Sequence, residues 1–245
     1  MGAHGKAQTP SPSSVPSILW SALAASTALS LLAAVYYALV VAPVEEQMGI
    51  VQKIFYLHVP SAYSMYVGFG LCVIGSLVYL VKRSDTWDAI AVAGAEVGLV
   101  FCIIVLVTGP LWGRKAWGVY WTWDPRLTTT MLIGMIYTAY ALLRNLGAAG
   151  EVERRFAAGI GVIGGALMPI IHYSVKLWRG QHPTVITNKG GGLHPDMGIA
   201  LGLGFLAFTL LTVLLVWARV RSERDRQKLQ TLELDAAELG LLEEM

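Results

Sequence analysis

Trp117-Gly118-Val119-Tyr120-Trp121-Thr122-Trp123-Asp124-Pro125-Arg126-Leu127-Thr128 lies between two long apolar runs, and reading it as a loop that joins two membrane-crossing helices decides the fold. Together with Trp112 it holds four of the eight tryptophans in the chain. The other four, Trp20, Trp87, Trp178 and Trp217, are spread out as an interfacial aromatic belt would be. Tryptophan accumulates where there is contact energy to gain. A loop that crowds indole rings, a carboxylate and a guanidinium suits a large, flat, partly charged ligand.

Working outward from the loop, the chain has 245 residues, 55% of them apolar and only 14% charged. Soluble domains carry about 25% charged residues, so the composition is that of a membrane protein. Six apolar runs reach or approach the roughly 20 residues that a spanning helix needs. They are Ile18–Ala42, Val59–Val81, Ala89–Gly109, Leu127–Leu143, Phe156–Val175 and Met197–Ala218. The expected fold is an all-α integral membrane protein with six transmembrane helices. Too little chain remains for a separate soluble enzyme domain of ordinary size. The first run is far longer than the 7 to 15 residues of a signal h-region and is read as a retained span. The expected organisation is an N-terminal tail over 1–17, a six-helix membrane domain over 18–220 with its tryptophan loop at 110–126, and a C-terminal tail over 221–245.

Six spans place both termini on one side, and the lysines and arginines of the connections choose which. With the termini inside, eleven cations face the cytoplasm and seven face outward. Both tails are therefore expected in the cytoplasm and the tryptophan loop on the outer, periplasmic face. Parity also forces the first, third and fifth connections onto that face. The first ends in Phe55-Tyr56-Leu57-His58-Val59-Pro60-Ser61-Ala62, the third is the tryptophan loop, and the fifth carries His182 and His194. Outer cations such as Lys53 and Lys189 run against the positive-inside tendency, which an anionic ligand or outer-leaflet phosphate would explain.

His58, at the outer end of the second span, and His182, in the fifth connection, can approach the tryptophan loop from opposite flanks. Two imidazoles beside an aromatic platform suit haem iron better than zinc, which prefers four close N/S ligands. His172 lies inside the fifth span near its outer end, where an ionisable group is costly, and is a third candidate as ligand or support. His194 precedes Pro195 and reads as the residue flanking a helix start. Asp124 before Pro125 fits an N-cap as well as a ligand contact. Arg126 in a first helical turn opposes the macrodipole and is better explained by pairing with Asp124 or with a ligand carboxylate. If the loop is helical, Trp117, Trp121 and Asp124 share a face; if extended, Trp117, Val119, Trp121 and Trp123 do.

Cys72 and Cys102 each sit alone within a span and read as packing residues. Glu96, the acidic residue within a span, calls for a polar neighbour or a partner subunit. The C-terminal tail is basic and then acidic, with Leu229, Leu232, Ala236 and Leu239 at heptad-like spacing. It reads as a solvated helix or a docking helix. No phosphate-cradling Gly-x-x-x-x-Gly-Lys-Ser/Thr is present, and Gly190-Gly191-Gly192 lacks the residues that would follow. Nucleotide and nucleic acid are not expected ligands.

At Lys53-Ile54-Phe55-Tyr56-Leu57-His58-Val59-Pro60-Ser61-Ala62, Gly109-Pro110-Leu111-Trp112-Gly113, Trp123-Asp124-Pro125-Arg126-Leu127-Thr128 and His172-Tyr173-Ser174-Val175 the chain resembles the tryptophan-rich WWD membrane proteins of cytochrome c maturation. The Arg-Leu-Thr continuation, six spans and short length resemble the haem-handling member rather than its larger haem-ligating siblings. The resemblance covers most of the chain. It implies a subunit of an inner-membrane complex of ABC-transporter type, with an ATP-hydrolysing subunit, a second permease-like subunit and a small single-span helper. It implies haem b at the outer face, with His58 and His182 as axial ligands and a platform of Trp112, Trp117, Gly118, Trp121, Trp123, Asp124 and Arg126. Haem would pass to a membrane-anchored periplasmic chaperone. Tyr120 departs from the pattern, since many relatives have tryptophan there.

The expected function is haem binding and transfer without catalysis. One rival is a b-type electron-transfer cytochrome, whose paired histidines lie within facing helices rather than at helix ends. The other is a haem-free small-molecule permease, which the uneven tryptophan distribution and the lack of an evident internal repeat disfavour.

Overall fold

The computed structural model describes residues 17–146, 150–178, 182 and 193–240. Of the expected tails at 1–17 and 221–245, residues 1–16 and 241–245 lie outside the described residues, as does most of the fifth connection. Among the described residues seven α-helices follow one another: α1 (Ser17–Tyr36), α2 (Phe55–Lys82), α3 (Asp85–Trp117), α4 (Pro125–Leu146), α5 (Glu151–Gly165), α6 (Leu167–Trp178) and α7 (Pro195–Glu238). A π-helical turn over Tyr37–Val41 extends α1, and a short 3-10 turn over Ile50–Ile54 leads into α2. No strand occurs among the described residues.

Among the described residues five helical stretches are long and apolar enough to cross a membrane: Ile18–Val41, Ile50–Lys82, Asp85–Trp117, Glu151–Ser174 and Pro195–Glu238. The helix over the fourth expected run, α4, has 22 residues but is diluted by Thr128, Thr129, Thr130 and two arginines. The fifth run is broken at Ala166 into α5 and α6. Pro169 explains the break, because it cannot donate to the carbonyl four residues earlier, that of Gly165, and its ring crowds that carbonyl. The third run continues past Pro110 to Trp117, so Trp112 and Trp117 are helical rather than part of the loop.

Glycine sets the central seam. A Cβ on Gly68 would meet the Gly98 backbone at 2.6 Å, and one on Gly75 would meet the Ala91 backbone at 2.8 Å. The backbones of α2 and α3 thus touch directly, the arrangement that small residues permit between membrane helices. At the centre Phe69 of α2 stacks on Tyr137 of α4, with ring centres 3.9 Å apart and planes 6° apart. The Tyr137 hydroxyl donates to the Gly161 carbonyl of α5 at 2.9 Å, which ties three helices together. Gly204 of α7 accommodates the Pro60 ring of α2, 3.0 Å from where its Cβ would be. Packed mainly on α7, α1 leaves Leu29 and Leu32 on the outside, as a lipid-facing helix would.

The two ends of the bundle differ in chemistry. At the α3 N-terminus, buried Asp88 accepts from Arg144 at 2.8 Å and from Gln227 at 3.0 Å. Glu223, fully buried, takes Arg226 at 2.6 Å and Arg219 at 3.0 Å. The tail is therefore docked through residue 227 before it runs on with Leu229 and Leu232 exposed. Thr108, near the other end of α3, lies about 30 Å away at 1.5 Å per residue. That end holds the aromatic cluster.

Candidate functional site

At the aromatic end a cavity of about 480 Å³ opens among α2, α3, α4, α6 and α7, within the range of roughly 300–1,000 Å³ typical of cofactor sites. Its walls include His58, Trp112, Trp117, Trp121, Arg126, His172 and His182. The structure thus brings together residues from the first, third and fifth connections and their flanking helix ends.

His58 occupies the first turn of α2. The antiparallel register that sets Gly68 opposite Gly98 runs on toward this end and brings His58 opposite Thr108. His58 Nδ1 lies 2.8 Å from Thr108 Oγ1, and the Thr108 hydroxyl lies 2.6 Å from the Ile104 carbonyl. The His58 ring also rests on Gly109, where a Cβ would stand 3.3 Å from Cε1. His182 faces it, with ring centres 6.3 Å apart and planes 27° apart. Two imidazole–metal bonds of about 2 Å each, plus the distance from each bonded nitrogen to its ring centre, add to roughly this separation.

The four tryptophans at this end form two edge-to-face pairs, a favoured geometry for aromatic rings. Trp112 and Trp117 have centres 5.8 Å apart at 85°, and Trp121 and Trp123 have centres 5.8 Å apart at 84°. The Trp117 ring folds back over Gly113, where a Cβ would meet it at 2.9 Å. The helix stops at Gly118, whose φ of +80° is left-handed and natural for glycine. The segment that follows is neither helical nor a regular extended strand. Trp117 and Trp121 line the cavity, while Trp123 is 74% exposed and Gly118 and Asp124 lie outside the lining.

Asp124 is buried and its Oδ1 accepts the Arg126 backbone N–H at 2.8 Å, so it caps α4 with Pro125 at the first helical position. The Arg126 side chain donates to the His172 carbonyl at 3.2 Å and approaches His182 Nδ1 at 3.4 Å. Its buried Nε has no hydrogen-bond partner among the described residues. An unpaired buried guanidinium nitrogen at a cavity wall is a place for an anionic oxygen. The His172 ring packs edge-on against Tyr173, 5.0 Å away. His194 accepts from the Asp196 backbone N–H as the N-cap of α7.

Two cations at this end of the bundle serve the backbone. Lys53 is buried and its Nζ donates to the carbonyls of Ala38, Leu39 and Ala42 at 2.8 to 3.0 Å. It neutralises the carbonyls left open at the end of the first helix, as a cation at a helix C-terminus does. Arg114 donates to the Gly118 carbonyl and lies over the Tyr120 ring at 5.7 Å. Neither needs a ligand to explain it. Sequence reasoning missed Thr108, although it is the only hydroxyl residue in the run Ala89–Gly109.

The sequence profile of Heme exporter protein C, the CcmC family, matches residues 5–235. The chain belongs to the heme exporter protein C family. A Heme exporter protein C of Bradyrhizobium diazoefficiens is 37% identical over 227 residues, covering 91% of this chain and 86% of that protein. The Heme exporter protein C of Escherichia coli K12 is 35% identical over 185 residues, 74% of each chain. A mitochondrial protein of Marchantia polymorpha named as ccmC-like in cytochrome c biosynthesis is 33% identical over 180 residues, 73% of this chain and 76% of that one. With its five membrane-length apolar helices, this member of the heme exporter protein C family is a multi-pass membrane protein of haem handling in cytochrome c maturation.

Proposed function

We propose that this chain holds haem b as cargo at the outer face of the bacterial inner membrane and hands it to a periplasmic haem chaperone. The observation that carries the reading is the facing pair His58 and His182 on a cavity walled by Trp112, Trp117 and Trp121. In this reading both histidines are axial ligands, the indole rings cover the macrocycle, and Arg126 Nε meets a propionate. His172 supports Arg126 through its carbonyl. Gly118 and Asp124 shape the platform by ending α3 and starting α4, and Trp123, exposed beside Trp121, offers a ring to the chaperone.

The six hydrophobic runs, α4 included, cross the membrane with both termini in the cytoplasm. The eleven-to-seven cation asymmetry supports this orientation, and so does the placement of the ionic cluster opposite the cavity. The domain spans 18–220, flanked by tails at 1–17 and 221–245. The chain breaks no bond in haem; energy comes from an ATP-hydrolysing subunit, working with a second permease-like subunit and a small single-span helper.

Haemin titrated into the purified chain is expected to give a Soret band that His58→Ala and His182→Ala each weaken and the double variant abolishes. An unchanged spectrum in the double variant would overturn the ligand assignment.

A further inference from the structure

We infer that Thr108 is a positioning residue that fixes the tautomer of His58, so that Nε2 carries the lone pair offered to haem iron. The inference rests on the reading of His58 as a ligand and adds a residue to it.

The argument is a proton count. The Thr108 hydroxyl has one proton and two acceptor lone pairs. Its oxygen is 2.6 Å from the Ile104 carbonyl oxygen, an atom that cannot donate, so the hydroxyl proton lies on that contact. This back-bond to the carbonyl four residues earlier is a common one for threonine in a helix. The same oxygen is 2.8 Å from His58 Nδ1. With its proton already committed, Thr108 can only accept there, and Nδ1 must therefore carry the hydrogen. A neutral imidazole with hydrogen on Nδ1 has its lone pair on Nε2, the form that binds a metal through Nε2.

Three features make the lock stiff. Thr108 is buried, so water does not compete for its lone pair. Gly109 presents no side chain there, so the His58 ring lies close along α3, its Cε1 3.3 Å from where a Cβ would stand. The distance between the two helices is held by the glycine contacts further along the same seam. Partners that orient a ligating histidine in this way are worth about 10-fold to 100-fold in metal affinity.

The test uses the full chain in nanodiscs with Thr108→Val, which removes the acceptor at nearly constant shape, and Thr108→Ser, which restores it. In the haem-free protein, nitrogen-15 NMR of the labelled His58 ring should show hydrogen on Nδ1 in the wild type and in Thr108→Ser, and a mixed or reversed tautomer in Thr108→Val. On titration with haemin, Thr108→Val should bind about 10-fold to 100-fold more weakly with a shifted reduction potential, and Thr108→Ser should recover most of the loss. Hydrogen on Nε2 in the wild type overturns the inference even if the valine variant does not fold. So does a valine variant with wild-type tautomer and affinity. If His58→Ala binds haemin as the wild type does, the ligand reading itself fails, while the haem-free tautomer still reports on the Thr108 contact.

Discussion

Arg219 of α7 grips Glu96 of α3 with two nitrogens, Nε to Oε2 at 2.5 Å and Nη2 to Oε1 at 2.8 Å. This accounts for an acidic residue inside an apolar run, and it needs no second subunit to do so. The same arginine also donates to Glu223 one turn further along α7, so one side chain ties the last helix to the core and to its own tail.

Glu96→Gln keeps the shape and loses the charge, and Glu96→Leu loses both. Hydrogen bonds to charged groups contribute about 1.5–3 kcal/mol each. Thermal unfolding in detergent should therefore fall for both variants, more for leucine, because Arg219 is then left half-buried without this partner. Equal melting temperatures in all three proteins would refute the structural role of the pair.

Arg144 is expected to be the most sensitive position at the ionic end. It is buried between Asp88 and Glu223, and Arg144→Met leaves buried carboxylates short of counter-charge. Removing one member of a buried ionic cluster costs about 3–5 kcal/mol. The measurable outcome is loss of folded yield and early release of the C-terminal helix to limited proteolysis. A variant as protease-resistant as the wild type would contradict it.

Lys53→Met separates a capping lysine from a ligand-binding one. With three carbonyls orphaned, stability should drop by about 1–3 kcal/mol, and haemin affinity should stay within a few-fold. Reduced haemin binding at unchanged stability would restore the anionic-ligand explanation that the charge pattern first suggested.

The Lys53 case shows how much the sequence alone reveals. Composition made the apolar runs legible, since length and hydrophobicity are local properties of the chain. Parity then grouped His58, the tryptophan loop and His182 on one face, and His58, Trp117, Trp121 and His182 line one cavity. Residues whose roles depend on another helix were opaque: Lys53 reaches carbonyls more than ten positions back, and Thr108 gains meaning only beside His58. The break at Ala166 was readable in principle from Pro169, but a hydropathy reading passes over a residue whose effect is a missing hydrogen bond. An extended loop would put Trp121 and Trp123 on one face; in the irregular backbone the two rings stay in edge contact, but Trp121 lines the cavity while Trp123 is exposed.

Arg126→Met should distinguish haemin from its dimethyl ester. The wild type is expected to prefer haemin by about 10-fold or more, the worth of one charged hydrogen bond, and the variant should bind the two alike. A preference that survives the substitution would place the propionates elsewhere.

Gly68→Ala and Gly109→Ala differ by one methyl in the same seam and should behave differently. At Gly68 the new Cβ meets backbone at 2.6 Å and the helices must part, for which overpacking costs of about 1–3 kcal/mol or more are expected. At Gly109 it meets only the His58 ring at 3.3 Å, so stability should be nearly kept while the Soret maximum shifts. Reversal of that pattern would mean that the seam is softer than its contacts imply.

Where side chains separate two helices, the gap can breathe, because rotamers exchange and neighbours refill the space. Between α2 and α3 the spacer is the main chain itself, which has no alternative conformers to sample. The seam therefore behaves as a fixed gauge: heat, lipid thickness or cargo can tilt the pair as one body, but they cannot retune the gap across which His58 meets Thr108.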